Sequence, residues 1–261
     1  MGRLDNRVAV VTGSARGLGA GIARALANDG AVVVCADAID AGPTAASLPA
    51  SPDGRSATAI RLDVTDTTAV DAAFAEIARE YGSLDILANN AGVAQPIADV
   101  IDTPDEVVDR VFAVNVKGMI ACCRAGGRIM REQRRGRIIN TASQTGRHAW
   151  PGWGVYSASK FAVVGITQVL ALELAHYGVT VNCVCPGTMV TDMMYTGFGE
   201  SAASMGRDRD ELVREKAESI PLGRMGTAED MGAMVAFIAS DDAQFTTGAA
   251  FNLTGGEMVF F

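Results

Sequence analysis

Three side chains at short spacing have the chemistry to move a proton. Tyr156 and Lys160 stand four residues apart near the start of a helical pattern, Val155–Tyr177. Residues at that spacing share a helix face, so the phenol and the ammonium point the same way. A free tyrosine titrates near about 10, too high for a good base at neutral pH. A cation about 4 Å away contributes roughly 4 kcal/mol at an effective dielectric of 20, or about 3 pKa units. Taken alone, the pair reads equally well as a surface pair. Ser143 separates the two readings. It precedes Tyr156 by 13 residues (156 − 143 = 13), just past the apolar run Gly136–Thr141. That puts it at the carboxyl edge of a strand, where open α/β sheets bind their ligands.

A second group of residues suits a phosphate. Thr12-Gly13-Ser14-Ala15-Arg16-Gly17-Leu18-Gly19 follows an apolar run and opens a helical pattern. Gly13 permits a tight turn, Gly17 lets backbone approach a pyrophosphate, and Gly19 allows close helix–strand packing. The phosphates would sit on the helix N-terminus, where free N–H groups and the helix dipole favour anions. The spacing is G-x-x-x-G-x-G rather than G-x-G-x-x-G. Asp37 lies 18 residues past Gly19 (37 − 19 = 18), at the end of the next apolar run. A carboxylate there accepts hydrogen bonds from adenine-ribose hydroxyls and repels a 2′-phosphate, which favours NAD over NADP. Arg16 is a counter-signal, since a cation near the ribose suits that phosphate, but Ala38 offers no second cation. Asp63-Val64 ends a third run; it either meets the adenine ring edge or caps the next helix.

These residues need a sheet to hold them. Short apolar runs read as strands at Arg7–Thr12, Ala31–Ala36, Ala59–Leu62, Leu84–Ala88, Gly136–Thr141, Val179–Cys185 and Ala249–Leu253. Helical patterns alternate with them at Gly17–Asn28, Thr68–Tyr81, from Pro104 continuously to about Glu132, Val155–Tyr177 and Ala228–Ala239. That alternation predicts right-handed βαβ units and a parallel sheet covered on both faces. No repeat or linker divides residues 1–261. Ala38–Arg55 is expected as an abbreviated helix plus a loop. Thr191–Pro221 is expected as an irregular excursion with a charged helix-like run at Arg207–Ala217, and such an excursion reads as a substrate lid over 191–221.

Composition narrows the function classes. The chain has 261 residues, is 49% hydrophobic and carries a net charge of −8. It is too apolar for a disordered chain. Its strongest basic cluster, Arg131–Arg137, falls where a helix ends and reads as a solvated helix terminus, so no nucleic-acid partner is expected. Cys122 and Cys123 are adjacent, and Cys35, Cys183 and Cys185 lie in apolar runs; reduced, buried thiols in a cytoplasmic protein are the expectation. With only His148 and His176 to assist Cys183-x-Cys185, no metal site is expected. No apolar run approaches the ~18 residues of a membrane span, and no N-terminal signal is visible.

Taken together, the motifs resemble the short-chain dehydrogenase/reductase family over essentially the whole chain. The resemblance rests on T-G-x-x-x-G-x-G (Thr12–Gly19), N-N-A-G (Asn89–Gly92), the position of Ser143, Y-x-x-x-K (Tyr156–Lys160) and Pro186-Gly187. It implies a single-domain, three-layer α/β fold, a Rossmann-type doubly wound parallel sheet. It implies that Tyr156 is the general acid/base on the substrate oxygen, that Ser143 orients that oxygen, and that Lys160 binds the nicotinamide ribose and lowers the Tyr156 pKa. Asn115, within Val114-Asn115-Val116, would hold a water in a proton relay to Lys160. The cofactor-binding set it implies is Gly13, Arg16, Gly17, Leu18, Gly19, Asp37, Asp63, Val64, Asn90, Ala91, Gly92, Tyr156, Lys160, Pro186, Gly187, Met189 and Thr191. It also implies a homotetramer paired through the helices near Pro104–Glu132 and Val155–Tyr177.

Ser143-Gln144-Thr145-Gly146 and the C-terminal Gly-Gly-x-Met-Val-Phe resemble family members acting on small polyols and vicinal diols, including acetoin reductases. Gln144 would hydrogen-bond a second substrate hydroxyl, or face water in a turn. Trp150 and Trp153 would wall the pocket or pack in a loop or subunit contact, and Met193, Met194 and Tyr195 would line the lid side. The expected activity is hydride transfer between NAD(H) and a small secondary alcohol or ketone. Two alternatives stand beside it: an NADPH-dependent ketoacyl-carrier reductase, opposed by Asp37 and by the scarcity of lysine (Lys117, Lys160 and Lys216), and a non-catalytic nucleotide sensor, opposed by the intact Ser143, Tyr156 and Lys160. The apolar end Met258–Phe261 is expected to dock on a neighbouring subunit.

Overall fold

Five consecutive buried residues make β1, Val8–Thr12. A strand covered on both faces has no reason to alternate, and a continuous apolar run is what such burial selects. β2 (Val32–Asp37), β4 (Ile86–Asn89) and β6 (Val179–Pro186) are built alike. With β3 (Thr58–Arg61), β5 (Gly136–Thr141) and β7 (Ala250–Leu253) they form one sheet of order β3-β2-β1-β4-β5-β6-β7. Every neighbouring pair is parallel. The structure is a computed structural model and describes residues 2–259.

The helices follow in chain order: α1 (Gly17–Asn28), α2 (Gly42–Ala46), α3 (Thr67–Tyr81), α4 (Asp105–Phe112), α5 (Met119–Gln133), α6 (Gly154–Leu174), α7 (Asp192–Met205), α8 (Arg209–Ser219) and α9 (Ala228–Ala239). Two cores result. Phe74 and Ile77 of α3, Met130 of α5 and Val163 of α6 pack on Val10, Val34, Leu87 and Ile138 on one sheet face. Ile22 and Leu26 of α1 and Met231, Val235 and Ile238 of α9 pack on Ala9, Val11 and Val33 on the other. Each fully buried side chain of this size contributes about 1.5–3 kcal/mol. The expected three-layer, doubly wound sheet is therefore the observed one. Its strand order reverses between β1 and β4, so the loops leaving their carboxyl ends diverge and open a crevice.

Two sequence expectations need correction. The first part of Thr191–Pro221 is not irregular but folds as α7, and the charged run expected at Arg207–Ala217 is α8. Thr191 caps α7 by accepting the Met194 N–H, Asp208 caps α8 by accepting the Glu211 N–H, and Gly206 ends α7 at φ 64°. Caps and a left-handed stop made these helices. No apolar stripe marks them, because α7 buries only Ala202 and α8 buries nothing. The stretch from Pro104 is also not one helix. A π turn at Ala113–Gly118 separates α4 from α5. Elsewhere strand ends differ from expectation by a residue or two, the ordinary uncertainty of an element boundary.

The basic cluster closes α5, with Arg134 in the left-handed conformation, and leads into β5. All five cysteines are free and buried. Among the described residues no group of three or more His, Cys, Asp or Glu could hold a metal ion. One helix, α6 with its following turn (Gly154–Tyr177), is long and apolar enough to cross a membrane by length and composition. It packs on the sheet through Val163, Thr167 and Ala171. Of Met258–Phe261, Val259 is exposed, and Phe260 and Phe261 lie outside the described residues.

Candidate active site

A cavity of about 990 Å³ opens at the carboxyl ends of β1, β4, β5 and β6. At one end stands the glycine loop. Gly13 (φ 66°) and Gly17 (φ 58°) occupy the left-handed region that only glycine enters freely. A Cβ at Gly19 would lie 2.0 Å from the Gly13 carbonyl oxygen, so helix and loop meet there backbone to backbone. Arg16 at the N-cap of α1 supplies no side-chain cap, which leaves that helix end open toward the cavity. Asn90 Nδ2 donates to the Gly13 carbonyl at 3.0 Å, and Thr12 Oγ1 accepts both the Asn90 and Ala91 N–H at 3.1 Å. The N-N-A-G turn therefore braces the glycine loop.

Asp37 accepts the Ala15 N–H at 2.9 Å and the Ile39 N–H at 3.1 Å and faces the cavity. Its two oxygens offer about four lone-pair sites, so acceptor capacity remains for a ligand hydroxyl. Asp63 does not cap α3; Asp66 does, accepting from Thr68 and Ala69, while Asp63 accepts from Thr65. Asp63, Val64, Leu18, Gly92, Pro186, Gly187, Met189 and Thr191 line the same cavity. Arg16 also lines it, with its guanidinium 3.1 Å from Asp192 at the first turn of α7. Uncapped N–H groups, bare glycines and a braced carboxylate fit a dinucleotide.

At the other end, Ser143, Tyr156 and Lys160 meet. Gln95 seats α6 by accepting the Tyr156 N–H at 2.6 Å and donating to the Gly152 carbonyl at 3.0 Å. Lys160 Nζ donates to the Thr141 carbonyl at 2.9 Å and lies 5.6 Å from the centre of the Tyr156 ring. Ser143 Oγ accepts the Thr145 N–H, which leaves its own proton for another acceptor. Burial pushes the Tyr156 hydroxyl up to about 12, with the Ser143 hydroxyl acting against it. Burial also pulls Lys160 down to about 8, with Cys185 and Cys183 opposing. In the protein alone, burial of the phenol sets the direction of its shift. Asn115 stays out of the cavity wall. Its amide exchanges hydrogen bonds with the Val93 backbone and donates to Ser159 Oγ, and a Cβ added at Gly92 would meet both its Oδ1 and Lys160 Nζ.

Trp150, Trp153, Met193 and Met194 line the substrate end. Tyr195 does not; it turns outward beneath Arg209. Gln144 is buried and lines the cavity, so it is no water-facing turn residue. Glu257 is the residue the sequence reading missed. It reaches Gln144 from 113 positions away, and also meets Thr188 and Lys216. Only its place in the Gly-Gly-x-Met turn hinted at a role. Gln95 carried no sequence signal at all.

A family model described as Enoyl-(Acyl carrier protein) reductase matches residues 13–257. The chain is 38% identical over 255 residues to a sorbitol dehydrogenase of Cereibacter sphaeroides, covering 97% of this chain and 98% of that protein. It is 37% identical over 255 residues to a galactitol 2-dehydrogenase of Agrobacterium fabrum, with 97% and 98% covered. A crystal structure of NAD+-bound xylitol dehydrogenase superposes with a TM-score of 0.90 at 32% identity, covering 97% of this chain and 99% of that one. With its fold, its glycine loop and its Ser143, Tyr156 and Lys160 cluster, the chain belongs to the short-chain dehydrogenase/reductase family, oxidoreductases that act on alcohol groups.

Proposed function

We propose that this protein is an NAD(H)-dependent oxidoreductase of a small polyol or vicinal diol and works as a homotetramer. The observation that carries the reading is one cavity holding the braced Asp37 carboxylate at one end and Ser143, Tyr156 and Lys160 at the other. Sorbitol, galactitol and xylitol in the names of the similar proteins support the polyol class. Asp37 would hold the adenine ribose and disfavour a 2′-phosphate. The open N-terminus of α1 would hold the pyrophosphate.

In alcohol oxidation, Ser143 Oγ donates its free proton to the substrate oxygen and orients it. Tyr156 Oη takes the hydroxyl proton as the carbon loses its hydride. When bound, the oxidised nicotinamide would supply the hydride acceptor and a positive charge at this end of the cavity. That charge matters because Tyr156 is held near about 12. One cation at 5–6 Å contributes roughly 3 kcal/mol at an effective dielectric of 20, about 2 pKa units. A second cation beside Tyr156 would act in the same direction as Lys160 and against burial. Lys160 also binds the nicotinamide ribose and passes the proton outward on the Asn115 side. Residues 191–221 act as the substrate lid, with Met193 and Met194 turned inward.

The test is NADH formation across polyols, vicinal diols and simple secondary alcohols, with NAD+ and NADP+ in parallel. Turnover of polyols or diols with NAD+, reduced at least about 10²-fold in Tyr156→Phe, is the expected outcome. Turnover confined to NADP+ would overturn the Asp37 argument and favour the acyl-carrier alternative.

A further inference from the structure

Gln144 holds a buried amide oxygen without a partner. Its side chain is only 8% exposed, and Oε1 has no hydrogen-bond partner among the described residues. A Cβ added at Gly187 would lie 3.2 Å from that oxygen, and both residues line the cavity. Buried acceptors are normally matched by donors, so this oxygen awaits one from a ligand. Which end of the amide faces the cavity is a separate question, because a flip would present the two N–H donors instead.

Glu257 decides it. Its Oε1 accepts from Gln144 Nε2 at 3.0 Å, from Thr188 Oγ1 at 3.1 Å and from Lys216 Nζ at 2.6 Å. Its Oε2 accepts the Thr188 N–H at 3.0 Å. An ionised carboxylate has no proton to donate, so it tolerates the NH2 end of the amide and rejects the oxygen. Burial works to raise the Glu257 carboxyl, but Lys216, Gln144 and the Thr188 N–H outweigh it and hold the group ionised. The contact also needs Gly187, since a Cβ there would lie 2.8 Å from Glu257 Oε2.

We propose that Glu257 is a positioning residue for substrate selection: it locks the Gln144 amide with Oε1 toward the cavity, where it accepts a hydrogen bond from the hydroxyl beside the reacting carbon. The proposal rests on the polyol reading above. Glu257 acts through Gln144, so its removal changes which alcohols are preferred rather than the proton transfer at Tyr156. Lys216 helps hold the carboxylate ionised and ties α8 to the C-terminal turn, so it supports the same lock from the lid side.

The experiment compares kcat/KM for butane-2,3-diol with that for butan-2-ol, which has the same skeleton but lacks the second hydroxyl. Glu257→Gln should lower the diol-over-alcohol ratio about tenfold, mainly through the KM of the diol. Lys216→Met removes the cation that helps hold Glu257 ionised and should lower the ratio in the same direction. An unchanged ratio in Glu257→Gln would overturn the proposal. NADH fluorescence titration reports whether each variant is folded. If Glu257→Gln is not, Glu257→Asp keeps the charge but falls one methylene short, and an unchanged ratio there overturns the proposal equally. A wild-type enzyme that does not prefer the diol, or a Gln144→Leu variant that keeps the preference, would instead remove the polyol reading itself.

Discussion

Lys160 is a cation with 4% of its surface exposed, and burial brings its folded pKa to about 8 from an ordinary 10.5. Between those values the unfolded chain binds a proton that the folded chain has released. Stability therefore rises with pH across that interval. The contribution is complete above 10.5 and is lost as pH falls through about 8. It is worth about 3 kcal/mol at most, from roughly 2.5 pKa units. Tyr156 runs the opposite way. Its pKa is raised from 10 to about 12, so its contribution is complete below 10 and lost as pH rises through about 12. The window from pH 8 to 10 thus reports Lys160 alone of the pair. Lys160→Met is expected to melt above wild type at pH 7, with the gap closing by pH 10. Thermal melts across that range check it, and a gap independent of pH would remove ammonium burial as its cause. The same strain serves function, because a lysine poised near neutrality exchanges protons readily.

At the scale of elements, α6 and the α7–α8 pair do opposite work. α6 carries Tyr156 and Lys160 and buries eight residues against the sheet and its neighbours. α7 and α8 bury one residue between them and hold on by few polar links, including Arg16–Asp192 and Lys216–Glu257. Exposed ion pairs such as the first contribute about 0–1 kcal/mol. Low burial means low local stability. Amides of residues 192–219 are expected to exchange with deuterium faster than those of α9, and to slow when NAD+ and a polyol are added together. Equal exchange in α7, α8 and α9 would end the lid reading. This contrast also explains what the sequence made legible. β1, β2, β4 and β6 were readable because burial on both faces demands continuous apolar runs, and Ser143, Tyr156 and Lys160 because they sit at fixed offsets on neighbouring elements. α7 was not, since its cap at Thr191 leaves no periodic trace, whereas α8 showed only as a charged run. Glu257 was not, since only the return of β7 beside β6 brings it to Gln144.

Among the exposed apolar side chains of the described residues, two groups suit contacts between copies of the chain. On α6, Phe161, Val169 and Leu172 are 45%, 53% and 81% exposed, and Ile120 of the neighbouring α5 is 38% exposed. Their spacing puts the three α6 residues on one outward face, and a Cβ at Gly165 on that helix would meet nothing within 4 Å. A monomer gains nothing from such a stripe on its longest helix, whereas a second copy of the same helix could cover it. Elsewhere Phe245 is 103% exposed and Phe237 of α9 is 39% exposed. Two distinct self-complementary contacts generate a tetramer with three mutually perpendicular two-fold axes, and each needs to bury about 800 Å² per partner to persist. Leu172→Glu combined with Val169→Glu places buried charge in one contact only. It is expected to halve the mass measured by light scattering, leaving dimers held through the Phe245 side. Phe245→Glu should give dimers of the other kind, and the variants together should give monomers. A wild-type chain that runs as a monomer would sink the arrangement outright. Loss of all assembly in the α6 variant alone would show that the Phe245 contact does not stand by itself.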